Sequence, residues 1–225
     1  MARLPFSAAL RWLLLGVAAA WLTGCATTAA PGKDYSAFRA ANPQSILVLP
    51  PLNDSPEIQA TASVLSHTTV PLAEAGYYVM PVTLVTETFR QNGLEMASDI
   101  HEVPPAKLHD IFGADTALYI KIVKYGVSYQ VINSVAVVSA QARLVDLRSG
   151  AELWTGQASA SSDEGGNNSG GGLAGMLITA LIKQVVNSVS DASHPVAGVA
   201  TNRLLAAGQR NGLLYGPRSP KYLKN

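Results

Sequence analysis

Leu144-Val-Asp-Leu-Arg-Ser-Gly-Ala-Glu-Leu-Trp154 is the stretch on which the fold turns. Asp146-Leu-Arg-Ser-Gly150 holds the residue types that reverse a chain: an acid that can bond nearby backbone, and a glycine free to take a left-handed conformation. Both flanks have strand character. Upstream, Val138, Ala140, Ala142 and Leu144 alternate with Ser139, Gln141 and Arg143, so Val131–Leu147 reads as one long strand. Downstream, Ala151–Ser161 returns as another, carrying Trp154. Before them, Ala117–Gln130 alternates Leu118, Ile120 and Ile122 against Tyr119, Lys121 and Val123. Loops this short predict an antiparallel meander of three strands.

Moving outward, Ile46-Leu-Val-Leu49 is a continuous apolar run closed by Pro50-Pro51, the pattern of a buried strand. Ser55-Pro56-Glu57 reads as a helix start, with Ile58, Ala62, Leu65, Thr69 and Leu72 spaced along one face and Gly76 as the stop. Pro71 inside that run predicts a kink or a division in two. Tyr77–Met80 is a second short strand, Val82–Asn92 a helix stopped by Gly93, and Pro104–Phe112 a short helix stopped by Gly113. The expected fold class is α/β (α+β), with a mixed, mainly antiparallel sheet of about five strands flanked by helices. Residues 44–164 would form this core.

Residues 165–225 read as an appendage. Gly165–Gly172 is a flexible hinge. Leu173–Val189 is an amphipathic helix with Leu177, Leu181 and Val185 on its apolar face. Three uses of that face are open: packing on the sheet, pairing with a second copy to give a homodimer, or contact with a membrane surface. Val196–Gly208 is a last helix. The tail Asn211–Asn225, rich in Gly, Pro and basic residues, is expected to lie along the surface.

The amino terminus carries a location. Arg3 and Arg11 precede an apolar run, Trp12–Leu22, too short to span a bilayer and built like a secretory signal. Leu22-Thr23-Gly24-Cys25 then resembles the bacterial lipobox. The resemblance implies cleavage between Gly24 and Cys25 and acylation of Cys25. Residues 1–24 would be the signal peptide and residues 25–43 the acylated cysteine and its tether. Several acyl chains anchor a protein firmly. Ala26 after the cysteine, in place of Asp, implies sorting to the outer membrane.

Composition excludes other classes. The chain has 16 Lys+Arg and 15 Asp+Glu; without Arg3 and Arg11 the mature chain holds 14 bases against 15 acids. Such a chain is not a nucleic-acid binder working through surplus positive charge. A single cysteine rules out an internal disulfide and any multi-cysteine metal site.

The meander and Leu144–Trp154 resemble the sheet of the curli-secretion lipoproteins and of the amino-terminal domain of TolB. More closely, Phe89-Arg-Gln-Asn-Gly-Leu94, Pro104-Pro-Ala-Lys-Leu108, Phe112-Gly-Ala-Asp115, Tyr125-Gly-Val-Ser-Tyr-Gln130 and Asn211–Tyr222 are similar to a family of bacterial outer-membrane lipoproteins of unknown function. The resemblance implies fold and location, and brings no activity.

Chemical motifs are weak. Gly170-Gly-Gly-Leu-Ala-Gly175 fits a dinucleotide-binding pattern, but it follows a meander rather than a parallel βαβ unit, and reads as linker. His67, His101, His109 and His194 show no metal-ligand spacing. Ser66-His67 with Glu74 or Asp54 makes a conceivable hydrolase triad, without the G-x-S-x-G elbow. Tyr119, Tyr125 and Tyr129 can line one stripe of a strand ladder, either as a binding surface or as packing pairs. The expectation is a non-enzymatic, cofactor-free outer-membrane lipoprotein facing the periplasm. It would meet envelope protein partners, a curli-secretion-like lipoprotein among them, through the tyrosine-bearing sheet edge and the 173–189 helix. The alternative is a tethered module that binds a small ligand.

Overall fold

A computed structural model describes residues 32–129, 134–164 and 191–224. Cys25, Gly24 and the expected signal peptide lie outside them, as do the stretches read as a hinge and as a helix over 173–189, with Leu177, Leu181 and Val185.

The domain from Asp34 onward is built on a six-stranded mixed sheet. In chain order the elements are α1 (Ser36–Ala41), β1 (Ser45–Val48), β2 (Leu52–Asn53), α2 (Ala60–Ser66), α3 (Thr69–Glu74), β3 (Tyr78–Val79) and α4 (Val82–Gln91). Then come α5 (Ala97–His101), α6 (Pro105–Phe112), β4 (Thr116–Tyr129), β5 (Ser134–Asp146), β6 (Glu152–Ser161), α7 (Ser193–Leu205) and a final 3-10 turn, Tyr222–Lys224. The strand order is β3-β1-β4-β5-β6, with β2 paired beside β4. β1 runs parallel to β3 and β4, whereas β4, β5 and β6 form the antiparallel meander.

The apolar run of β1 is continuous because both faces of the sheet are covered there. Ile46 and Val48 join one core with α2, α3 and α7, while Leu47 and Leu49 join a second with Val85 and Phe89 of α4, Ile100 of α5 and Leu108 of α6. The turn after β5 is made as its composition predicts. Asp146 Oδ1 accepts from the backbone N–H groups of Arg148 (3.1 Å) and Ser149 (2.7 Å) and from the Ser149 hydroxyl (2.7 Å), and Gly150 sits at φ 73°. Burial alone would raise the Asp146 carboxyl, but these bonds outweigh it and hold it below the usual value.

The expected helix start at Ser55 is corrected. Asn53 takes the Ser55 hydroxyl at 2.6 Å and its backbone N–H at 2.9 Å, closing a turn, and α2 begins only at Ala60. The buried face is Ala60, Ser63, Val64 and Leu72, and Ile58 stands 92% exposed. Pro71 divides the helix in two: without its N–H, the His67 carbonyl has no partner one turn on, and the chain tightens through His67 N–H to Val64 O (3.1 Å) and Thr68 N–H to Leu65 O (3.2 Å).

The tail is also corrected. It is part of the fold rather than a surface strap: Leu213 is buried, and the Tyr77 hydroxyl donates to Leu214 O at 2.7 Å. Gly216 N–H donates to Ala75 O (2.8 Å) and Arg218 N–H to Gly76 O (3.1 Å).

Candidate functional site

Tyr119 and Tyr125 do not share an exposed stripe. β4 lies inside the sheet, and an irregularity between Ile122 and Lys124 inserts Val123 into the register with β5. One extra residue reverses the alternation. Tyr125 therefore joins Leu118, Ile120 and Ile122 in the first core, while Tyr119 belongs to the second. They are 4% and 5% exposed, so neither offers a docking surface. The Tyr119 ring meets the His101 ring edge-on at 5.2 Å and lies under the Arg143 guanidinium at 4.2 Å. Tyr129 closes β4, and its side chain lies outside the described residues.

The histidines are drawn into the scaffold. His101 Nε2 bonds Pro50 O at 2.9 Å and His109 Nδ1 bonds Ala114 O at 2.8 Å. The conceivable Ser66–His67 triad is not assembled: the Ser66 hydroxyl donates to Ser63 O at 2.7 Å, and Asp54 pairs with Lys121 at 2.8 Å. His67 instead stacks against His194, with ring centroids 4.5 Å apart.

An unforeseen polar network lies beside that pair. Ser63 Oγ is 2.7 Å from His194 Nδ1 and 3.0 Å from the Tyr125 hydroxyl, which donates to Asp191 Oδ2 at 2.6 Å. Burial, reinforced by the bond to Asp191, raises the Tyr125 phenol. Asp191 Oδ1 also accepts Ser193 N–H at 2.9 Å, at the start of α7. A serine beside a histidine suggests a nucleophile, but the carboxylate is bonded to the tyrosine rather than shown orienting the histidine, and Ser63 is only 6% exposed. The network fastens α7 to α2 and β4. Tyr125→Phe should cost about 1–3 kcal/mol, because it leaves Asp191 Oδ2 short of its donor. Urea unfolding measures this; an unchanged midpoint would refute the role.

His67 Nε2 is buried without a hydrogen-bond partner. Desolvation first, then the neighbouring His194, lowers the His67 pKa, and burial likewise lowers that of His101. Burial favours the neutral form of both rings in the fold. The unfolded chain therefore takes up protons first as pH falls below about 6.5, and stability drops on acidification before the carboxylates titrate. A thermal midpoint lower at pH 5 than at pH 7.5 is expected, with a smaller difference in His67→Leu. An equal difference in both chains would refute the assignment.

The tail builds two clefts. One, of about 260 Å³, lies between α1 and the tail and is lined by Phe38, Arg39, Tyr77, Tyr215, Tyr222 and Leu223. The other, open and polar, of about 500 Å³, is lined by Gln44, Ser45, Tyr78, Asp115, Arg148 and Arg218. Arg148 pairs with Asp115 at 3.2 Å, and Arg218 donates to Gln44 O at 3.3 Å beside the Tyr78 ring. The aromatic and basic content of the tail was the available signal; the cleft itself needs Phe38 and Tyr215, remote in sequence. Among the described residues, no group of three His, Cys, Asp or Glu side chains could hold a metal, and no helix is long and apolar enough to cross a membrane.

A family model described as "Putative lipoprotein GNA1162-like" matches residues 33–218, nearly the whole domain. "Putative lipoprotein NMB1124/NMB1162" of Neisseria meningitidis serogroup B is 52% identical over 207 residues, covering 92% of this chain and 95% of that protein. The crystal structure of lipoprotein GNA1162 from Neisseria meningitidis is 57% identical, covers 65% of this chain and 100% of its own, and superposes with a TM-score of 0.53. With the match spanning the sheet, the helices and the built-in tail alike, the chain belongs to the GNA1162-like lipoprotein family.

Proposed function

We propose that this lipoprotein is non-enzymatic, is anchored in the outer membrane through Cys25, faces the periplasm, and works by joining envelope protein partners. The observation that carries the partner reading is an arm of the meander. β4 and β5 pair from Thr116 to Tyr129, whereas β1 and β2 cover β4 only as far as Ile122. Among the described residues, no strand pairs with the outer edge of β4 beyond that point. Glu57 packs over Gly126 there, and Ile58 beside it and Val127 on the arm are exposed. A free strand edge flanked by apolar side chains suits addition of a partner's strand. A curli-secretion-like lipoprotein is the partner class proposed.

A photo-reactive residue at Val127 should crosslink in intact cells to one envelope protein of constant mass. The same residue at Leu84, exposed on α4, should not. Equal adducts at both positions would sink the reading. A second reading, a tethered ligand-binding module, draws on the polar cleft, where Arg148 and Arg218 suit a small carboxylate-bearing ligand. A ligand-dependent rise in thermal midpoint, lost in Arg218→Ala, would favour it.

A further inference from the structure

The mature chain is near neutral only because two regions cancel. Residues 25–191 hold all fifteen acids against nine Lys+Arg. Past Asp191 come Arg203, Arg210, Arg218, Lys221 and Lys224, and no acid. The fold gathers part of this basic tail onto one face with α1. The Tyr222 hydroxyl donates to Asn42 Oδ1 at 2.6 Å, tying the last turn to the end of α1. Arg39, Arg218 and Lys221 are exposed on that face. Each lies beside a tyrosine ring: Arg39 at 6.0 Å from Tyr35, Arg218 at 5.7 Å from Tyr78, and Lys221 at 5.6 Å from Tyr215. Leu223, at the rim of the cleft, is 94% exposed, although Leu213 of the same tail is buried.

Cations, half-buried tyrosines and one protruding leucine are the composition of a surface that meets lipid headgroups. Its place in the chain fits. α1 is the first described element of the domain, and ten residues lie between Cys25 and Ser36. Even fully extended, that tether spans no more than about 40 Å. Once Cys25 is acylated, the domain is held at high local concentration beside the headgroups, and α1 is its described element nearest the anchor in sequence.

We infer that the face carrying Arg39, Arg218, Lys221, Tyr222 and Leu223 docks on a phospholipid surface bearing anionic headgroups, as a second contact beside the acyl chains. This rests on lipid attachment at Cys25. Near-neutral net charge is compatible with such a face, because the acids and the last five bases lie in different parts of the sequence. Each cation near such a surface is worth roughly a five-fold gain in docking, screened by salt.

The mature acylated chain, placed in vesicles of zwitterionic lipid with or without phosphatidylglycerol, provides the test. Acylation consumes the Cys25 thiol, so Leu223→Cys supplies the single free thiol for an environment-sensitive fluorophore. Ile58→Cys, on an exposed loop, is the control. With phosphatidylglycerol present, the label at 223 should be shielded from an aqueous quencher several-fold more than the label at 58. High salt, or the pair Arg39→Glu and Lys221→Glu, should remove the shielding. A label at 223 as open to water as the one at 58 overturns the inference. So does shielding that is equal in purely zwitterionic vesicles, or shielding that rises with protein density at constant lipid, which would mean that a second copy covers the face. Flotation separates the two readings: a chain that floats with its label open to water overturns the docking alone, and a chain that does not float overturns the lipid attachment and the docking with it.

Discussion

Cys25→Ala is expected to abolish fatty-acid labelling of the chain and to leave it as unprocessed precursor or soluble protein. Cys25 is the only cysteine of the sequence, so no other thiol can accept the diacylglyceryl group. Each buried methylene contributes about 0.8 kcal/mol to membrane attachment, a single chain binds only marginally, and stable anchoring takes two signals. Losing the thiol removes every chain at once. The basic face proposed above is a weak contact that cannot replace them. Metabolic labelling with a fatty-acid probe, followed by flotation, measures the effect. A wild-type chain that takes up no label would end the assignment of Cys25, whatever the variant does.

Gly76→Ala is expected to cost about 3–5 kcal/mol, a large part of the stability of a domain this size. Gly76 sits at φ 96°, which an L side chain rarely adopts. An added Cβ would also lie 2.3 Å from Ser219 N and 2.9 Å from Gly216 O. Both are backbone atoms, so no side-chain rotation relieves the clash and the tail must move. Gly93→Ala is the control: its φ is 79°, with nothing near the added carbon. Only the conformational cost remains there, about 1–2 kcal/mol. Chemical denaturation of the two variants separates the effects, and equal shifts would refute the account of the tail as a docked element. Gly76→Ala should also expose the tail to proteolysis before the rest of the domain unfolds.

Most of the sheet was legible because strand signals are local. The buried run at Ile46–Leu49, the alternation in β5, and the Asp146–Gly150 turn each depend on residues within a few positions of one another. The helix stops at Gly93 and Gly113 follow the same logic, since both glycines take the left-handed conformation expected of them. The helix start at Ser55 misled because Asn53, two residues earlier, competes for the same hydroxyl and closes a turn with it. The short helix α5 went unread: five residues with one buried side chain, Ile100, carry too little periodicity to show.

The site was far less legible. Ser63 and His194 are 131 positions apart, and Tyr125 and Asp191 are 66 apart, so no spacing rule could bring them together. Tyr119 and Tyr125 have the same parity, which predicts one face, but the extra residue at Val123 sends them to opposite cores.

By itself, then, the sequence determined the class of fold, the meander and its turn, and the cysteine that resembles a lipid attachment point. Each of these is set by chemistry within a short window of chain. The tertiary structure alone decided which faces are covered, that Tyr119 and Tyr125 are core, that the basic tail is built against α1 and Gly76, and that, among the described residues, no strand pairs with the outer edge of β4 beyond Ile122. These depend on contacts between remote segments, and a single bulge or a backbone approach of a few ångströms, invisible to periodicity, is enough to change them.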